Sequence, residues 1–405
     1  MIPKPLAATL LPLCVMTVPL LIVAACGGGS TGDADGDTPD GSGVVTDGAI
    51  PADGSDAPLS TDASMSTDAS MSTDASGGEG GSFSLAPFPD DGVMFGVYVN
   101  PGTSSPAEVA TEIARPLDLE MNYFEWSDDF TTAKNGWLAG AIGRHATPEI
   151  SWQLDSTPDC SGVHFDDILA GTQDSVIQAA AHAVKAVAPS WVLMRPFWEM
   201  NGTWYCTNEK YQSTPGTCDG TTKYIAAWKY LRQIFDQQGV VNVRWVWAPS
   251  HQDPGNPSCN HWSLYYPGDS SVDVVGVDAY NKFLQGDGGV ADGPDNGQPW
   301  TDFKDLFLPI YDQYSQKPFM VAETASSEDA TTPGRKAQWI ADAQSFMKSD
   351  MPRLKAFVWF LKGPVKGDPE DYSLCTSQTA FDAFATLAQD PYFGGRSQAP
   401  SYTCP

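Results

Sequence analysis

The sequence predicts an α/β protein: an eight-stranded (β/α)8 TIM barrel preceded by an export signal and a disordered linker. Three observations carry that expectation. Eight short apolar runs recur from residue 93 onward, with helix-patterned stretches in the intervals. Most of the runs are continuously apolar rather than alternating, as in parallel strands buried on both faces. Residues 93–405 also give eight such units the length that a closed barrel with some long loops requires.

The first 92 residues are of another kind. Residues 1–25 open with Lys4, run through Leu10-Leu11-Pro12-Leu13 and Leu20-Leu21-Ile22-Val23, and finish in Ala24-Ala25. A basic start, an apolar stretch and small residues at a cut site read as a secretory signal peptide. Pro5, Pro12 and Pro19 argue against a spanning helix. Val23-Ala24-Ala25-Cys26-Gly27 resembles the lipobox of bacterial lipoproteins. The resemblance implies cleavage before Cys26 and a lipid on its sulfur, an anchor that holds a chain to a membrane without crossing it. Residues 26–92 are the linker. They are mostly Gly, Ser, Thr, Asp and Ala, with STDASM at 60–65 and 66–71 and STDAS at 72–76. Such a segment has too little apolar surface to offset its ordering entropy.

The folded domain is then 93–405. Its strand candidates are 93–99, 119–125, 146–152, 191–197, 241–248, 272–278, 318–323 and 355–361. The clearest helix is Asp174–Val187, stopped by Pro189. Others are Tyr224–Gln237, Asp302–Gln313, Lys336–Met347 and 377–388. The alternative is a doubly wound open sheet, but no GxGxxG follows a strand.

Charge and cysteines narrow the function. The formal net charge is −28, and residues 1–92 hold 13 acids and one lysine, leaving 37 acids and 21 bases beyond them. That surface predicts no nucleic-acid partner, since phosphates need Lys and Arg. Of eight cysteines, Cys14 leaves with the signal and Cys26 takes lipid. The remaining six are an even count in an exported chain, which predicts three disulfides. Cys375–Cys404 is one expected pair, and the connectivity of the other four stays open. No CxxC and no HExxH spacing is present, so a zinc site is not expected, and the two-carboxylate chemistry read below requires no metal or organic cofactor.

In a barrel, reactive groups sit where strands end. Strand four ends at Glu199 and strand seven at Glu323, across the mouth from each other. One could protonate a leaving oxygen while the other attacks an anomeric carbon or activates water. The plainer reading pairs them with Arg195 or Arg244. Glu149 comes early in its strand, and Asp278 reads as a supporting group. Trp126, Trp152, Trp198, Trp204, Tyr205, Trp247, Tyr280 and Trp359 fall near the same strand ends, suited to stacking on sugar faces.

RPFWEMNGTW (195–204), VRWVWAPS (243–250), YYPGDSSVDVVGVDAYN (265–281) and KPFMVAETAS (317–326) together resemble glycoside hydrolase family 26, the β-mannanase family of a clan of retaining (β/α)8 glycosidases. The resemblance covers residues 93–390 in outline. It implies Glu199 as acid/base and Glu323 as nucleophile, with Arg195 orienting Glu323 and Tyr280 hydrogen-bonded to it. Trp204 would stack on substrate near Glu199, and Trp359 would floor the sugar at the cleaved bond. One position departs: the family usually has His just before the acid/base and the wider clan Asn, whereas this chain has Trp198. A polar contact near the reacting end of the sugar is thereby lost, which weakens the implication of mannan in particular.

The sequence reading is thus a lipid-anchored, monomeric endo-glycosidase of the bacterial cell envelope. It would cleave β-1,4-mannan first, with mixed-linkage β-glucan or β-xylan as alternatives. The rival is a surface glycan-binding lipoprotein with a retired site, kept open by Trp198.

Overall fold

The structure, a computed structural model, describes residues 86–100, 104–283, 299–364, 370–395 and 402–404. The signal peptide and Cys26 lie outside the described residues, as does the linker up to residue 85. All described residues belong to the unit that begins at Ser82.

Eight strands form one closed parallel barrel in sequence order: β1 Met94–Val99, β2 Leu119–Phe124, β3 Thr147–Trp152, β4 Val192–Pro196, β5 Val243–Trp247, β6 Val274–Asn281, β7 Phe319–Ser326 and β8 Leu354–Leu361. Closure comes from β1 pairing with β8 along its whole length, Met94 opposite Ala356 through Val99 opposite Leu361. Each strand falls on one of the eight expected runs.

The five expected helices form within a few residues of their predicted ends. In Asp174–Ala186 the buried positions include Ile177, Ala180, Ala181 and Val184, the spacing of one helix face. Gln378–Gln389 starts where the Ser377 side chain accepts from Ala380 N–H, an N-cap that satisfies an otherwise orphaned donor. Shorter helices that the pattern does not announce fill the connections, among them Pro106–Glu112, Ala133–Gly143 and Phe165–Leu169. Among the described residues no helix is long and apolar enough to cross a membrane.

Alternation along each strand sorts the apolar residues into two layers. Odd positions of β8, Phe357, Trp359 and Leu361, pack outward against the helices, with Ile177, Trp228, Phe307 and Phe384 in the same layer. Even positions, Ala356 and Val358, face the barrel interior with Met94, Leu119, Met121, Leu193, Val246, Val274 and Met320.

The interior cluster has one member from outside the strands. Phe88 is buried among the barrel-lining residues. Arg244 Nε, near the start of β5, donates to Ala86 O at 2.7 Å. Lys355, near the start of β8, donates to Pro89 O and Asp90 O. Residues 86–92 therefore close the N-terminal end of the barrel rather than extend the linker, a correction to the boundary that composition suggests. Phe88 is the apolar residue that composition averages away.

Three disulfides join the six cysteines: Cys160–Cys206, Cys218–Cys259 and Cys375–Cys404. The first ties the loop after β3 to the loop after β4. The second ties the β4 and β5 loops, and the third is the expected C-terminal pair.

Candidate active site

Strand β4 delivers the site's cation and then bends. After Pro196 the chain keeps contact with both neighbouring strands: Phe197 N donates to Trp152 O at 3.0 Å and Glu199 N to Ala248 O at 2.8 Å. Between these bonds Phe197 and Glu199 take φ of 55° and 48°. For non-glycine residues that region costs on the order of 1–3 kcal/mol each. The bend buries Phe197 in the outer core, points Trp198 into the barrel and leaves Glu199 at the mouth.

Glu323 reaches the mouth by a different device. Met320 and Ala322 face the interior, so strict alternation would turn Glu323 outward. The ladders on both sides of β7 slip at this point: Val277 pairs with Val321 but Asp278 with Glu323, and Phe357 pairs with Val321 but Trp359 with Thr324. The extra residue is a β-bulge, which re-aims the next side chain. Glu323 thereby receives three donors inside the mouth. Tyr123 O–H donates to Oε1 at 2.6 Å, Arg195 Nη2 to Oε1, and Tyr280 O–H to Oε2.

Arg195 is fully buried and serves several acceptors. It donates through Nη1 to Asp278 Oδ1 at 2.7 Å and through Nε and Nη2 to Ser151 Oγ, and Glu149 Oε1 lies 3.2 Å from Nε. One cation among Glu149, Asp278 and Glu323 cannot neutralise three carboxylates, and the proton affinities reflect this. Burial lifts Glu149 to about 7 against the pull of Arg195. Burial likewise holds Asp278 well above the usual carboxylate range, again opposed by Arg195. Glu199 rises to about 7 through burial first and then the charge of Glu323, while the Trp204 hydrogen bond and the cations Lys282 and Arg195 pull it down. Burial and the Glu323 charge raise the phenols of Tyr123 and Tyr280 far above 10, so both remain donors.

Of the eight aromatics expected at the mouth, half are there. Trp204 is 46% exposed, and its Nε1 donates to Glu199 Oε2 at 2.7 Å. Lys282 Nζ stands 5.9 Å from its ring. Trp198 is buried inside the barrel, 5.0 Å from both the Tyr123 and Tyr205 rings, with the Arg195 guanidinium 5.7 Å away. Tyr280 completes the set.

The other four face outward. Trp247 packs on Tyr266 and Tyr314. Trp359 packs on Trp339 and Phe384 and donates to Tyr372 O. Trp126 stacks on Trp152 in the same outer layer. The substrate-binding expectations for Trp247 and Trp359 are therefore corrected, because strand alternation gives the inward position to the next residue. On β8 that residue is Phe360, stacked 4.8 Å from Tyr98.

Several site residues escaped the sequence reading. Tyr123 is the inward residue at the end of β2, and its signal was only position. Glu149 comes early in β3, yet its buried carboxylate lies 3.2 Å from Arg195 Nε. Asn201 pins the loop that bears Glu199: its Nδ2 donates to Ser250 O, Gln252 O and Asp253 Oδ1, and its Oδ1 accepts from Ser250 N. Among the described residues one group has metal-ligand proximity, Glu209 with Cys218 and Cys259. Those two sulfurs are joined in a disulfide, so no thiolate is left to bind an ion.

A closed parallel barrel with helices between its strands, Glu199 just beyond β4 and Glu323 on β7, belongs to the class of (β/α)8 scaffolds. The particular relationship is to glycosyl hydrolase family 26, whose model matches residues 133–291. The chain is 28% identical over 278 residues to Endoglucanase H of Acetivibrio thermocellus, covering 67% of this chain and 28% of that protein. It is 36% identical over 93 residues to mannan endo-1,4-beta-mannosidase A and B of Caldalkalibacillus mannanilyticus, covering 22% of this chain and 16% of that protein. The chain thus spans less than a third of the length of these relatives. A family 26 β-mannanase from Bacteroides ovatus shares the fold, with a TM-score of 0.52 at 14% identity, covering 77% of this chain and 94% of that one.

Proposed function

We propose that the chain is an endo-acting, retaining glycoside hydrolase of β-linked polysaccharide. Glu323 attacks the anomeric carbon while Glu199 gives its proton to the departing oxygen. Glu199 then takes a proton from water, which releases the sugar from Glu323. The observation that carries this reading is the contrast between the two carboxyls. Glu199 is raised to about 7 and keeps a proton to give near neutrality. Glu323 accepts from a guanidinium and two phenols, a donor set suited to a carboxylate nucleophile.

β-1,4-Mannan is the first substrate. A β-glucan is the second, favoured by Trp198 in place of a polar residue and by the longest match to a relative, which is to a protein named an endoglucanase. No metal or organic cofactor enters either step.

The test is a panel of mannan, mixed-linkage glucan and xylan with the wild type, Glu199→Ala and Glu323→Ala. Wild type should release oligosaccharides of retained configuration from one polymer. Each variant should lose roughly a hundred- to ten-thousand-fold in kcat/KM. A wild type that retains polymer but frees no reducing ends is instead a glycan-binding protein.

The lipid tether and the envelope location rest on the lipobox-like stretch ending at Cys26. Labelled palmitate should enter the wild type and not Cys26→Ser. Equal labelling of the two would remove the tether.

A further inference from the structure

The indole N–H of Trp204 can only donate, and it donates to Oε2 of Glu199. In a protonated carboxyl the carbonyl oxygen is the stronger acceptor, so an indole on Oε2 directs the acid proton to Oε1. What lets the indole lie there is the residue beneath it. Gly202 is buried while Trp204 above it is exposed. A Cβ on residue 202 would stand 2.8 Å from Trp204 Cδ2 and closer still to Cε2 and Cζ2. No side chain fits between that backbone and the ring. The backbone itself cannot withdraw, because Gly202 N donates to Glu199 O at 2.7 Å and Asn201 is anchored to the β5 loop.

We infer that Gly202 is a positioning residue, whose missing side chain seats the Trp204 indole on Glu199 Oε2 and so places the acid proton on Oε1. The geometry stands by itself, and its catalytic meaning rests on the acid/base role proposed above. In the first step the Oε1 proton passes to the glycosidic oxygen as the C–O bond breaks. The bond's electron pair stays on that oxygen while Glu323 closes on the anomeric carbon.

Other charged or titratable groups face Glu199 from the elements around it. They are Glu323 from β7, Arg195 from β4, Asp278 and Tyr280 from β6, Lys282 just beyond β6, and Tyr205 from its own loop. A change at residue 202 reaches these groups only through the indole, whose ring also stands 5.9 Å from Lys282 Nζ.

The experiment follows the Glu199 side-chain carboxyl by carbon NMR through a pH titration in wild type, Gly202→Ala, Trp204→Phe and the double variant. The indole bond lowers the Glu199 midpoint, so both single variants should raise it. The double variant should raise it no further than Trp204→Phe alone. An unchanged midpoint in Gly202→Ala, or additive shifts, overturns the proposal. Should Gly202→Ala not fold, an unchanged midpoint in Trp204→Phe overturns it as well. This readout needs no turnover and stands apart from whether the chain hydrolyses anything.

A kinetic arm uses the dinitrophenyl β-glycosides of mannobiose and cellobiose, whose leaving group needs no proton. Gly202→Ala should lose about tenfold or more in kcat/KM on polymer and little on whichever aryl glycoside the wild type cleaves. Equal losses on both would make Gly202 merely structural and overturn the proposal.

Discussion

Arg195 shows how one side chain can serve stability and chemistry together. Removing it would leave Glu149, Asp278 and Glu323 facing one another in a buried space, and losing one partner of a buried ionic set costs roughly 3–5 kcal/mol. Glu149 gives the same network a readable pH dependence. Its folded carboxyl titrates at about 7 and its unfolded one at the ordinary 4.5. Between those values the folded state holds a proton that the unfolded chain has released, so stability falls as pH rises through the window. Asp278 and Glu199, both raised, act with the same sign. Glu149→Gln removes one contributor. Its melting temperature should decline less steeply than the wild type's between about pH 5 and pH 7. Parallel declines would show that Glu149 does not hold the proton.

At the level of elements, the sequence revealed where the strands are but not which way their residues point. Val-Trp-Phe-Leu in β8 is apolar on both faces, as a strand between helices and a filled barrel must be, so no alternation marks Phe360 as inward and Trp359 as outward. For the same reason nothing in the sequence marks Trp247 as outward, where it packs on Tyr266 and Tyr314. Glu323 is expected at a strand end, but β7 runs on to Ser326, and the bulge that turns Glu323 inward has no residue signature in Ala322-Glu323-Thr324. Glu199 was legible because a carboxylate after an apolar strand is costly without a purpose. The left-handed bend that presents it was not, since Phe and Glu are unusual residues for that conformation. Tyr123, within the second expected strand, carries no sequence signal beyond its position. The two faces of β8 can be told apart by measurement. Trp359→Ala should cost roughly 3–5 kcal/mol in chemical denaturation, as a lost core aromatic. Phe360→Ala should cost less stability and about 1 kcal/mol of substrate interaction, a several-fold rise in KM. Reversed effects would reverse the assignment of faces.

For the whole molecule, the barrel depends on two kinds of fastening besides its core. The disulfides close loops with separations of 46, 41 and 29 residues, each worth about 3–4 kcal/mol in a chain-entropy account. Two of the three hold the β3, β4 and β5 loops, the ones that frame Glu199. The even cysteine count announces three bridges and the Cys375–Cys404 pair is expected, but the pairing of the other four is not legible in the sequence. At the opposite end Phe88 fills the barrel floor. Phe88→Ala in the full chain should lose roughly 3 kcal/mol in denaturant unfolding while leaving kcat unchanged. Unaltered stability would mean the floor segment contributes nothing.

That floor makes the barrel a blind well. With Phe88 below and packed side chains at every level above it, nothing passes through the tube. Whatever docks beside Trp204 and Glu199 therefore approaches from the C-terminal face of the barrel and never through its floor.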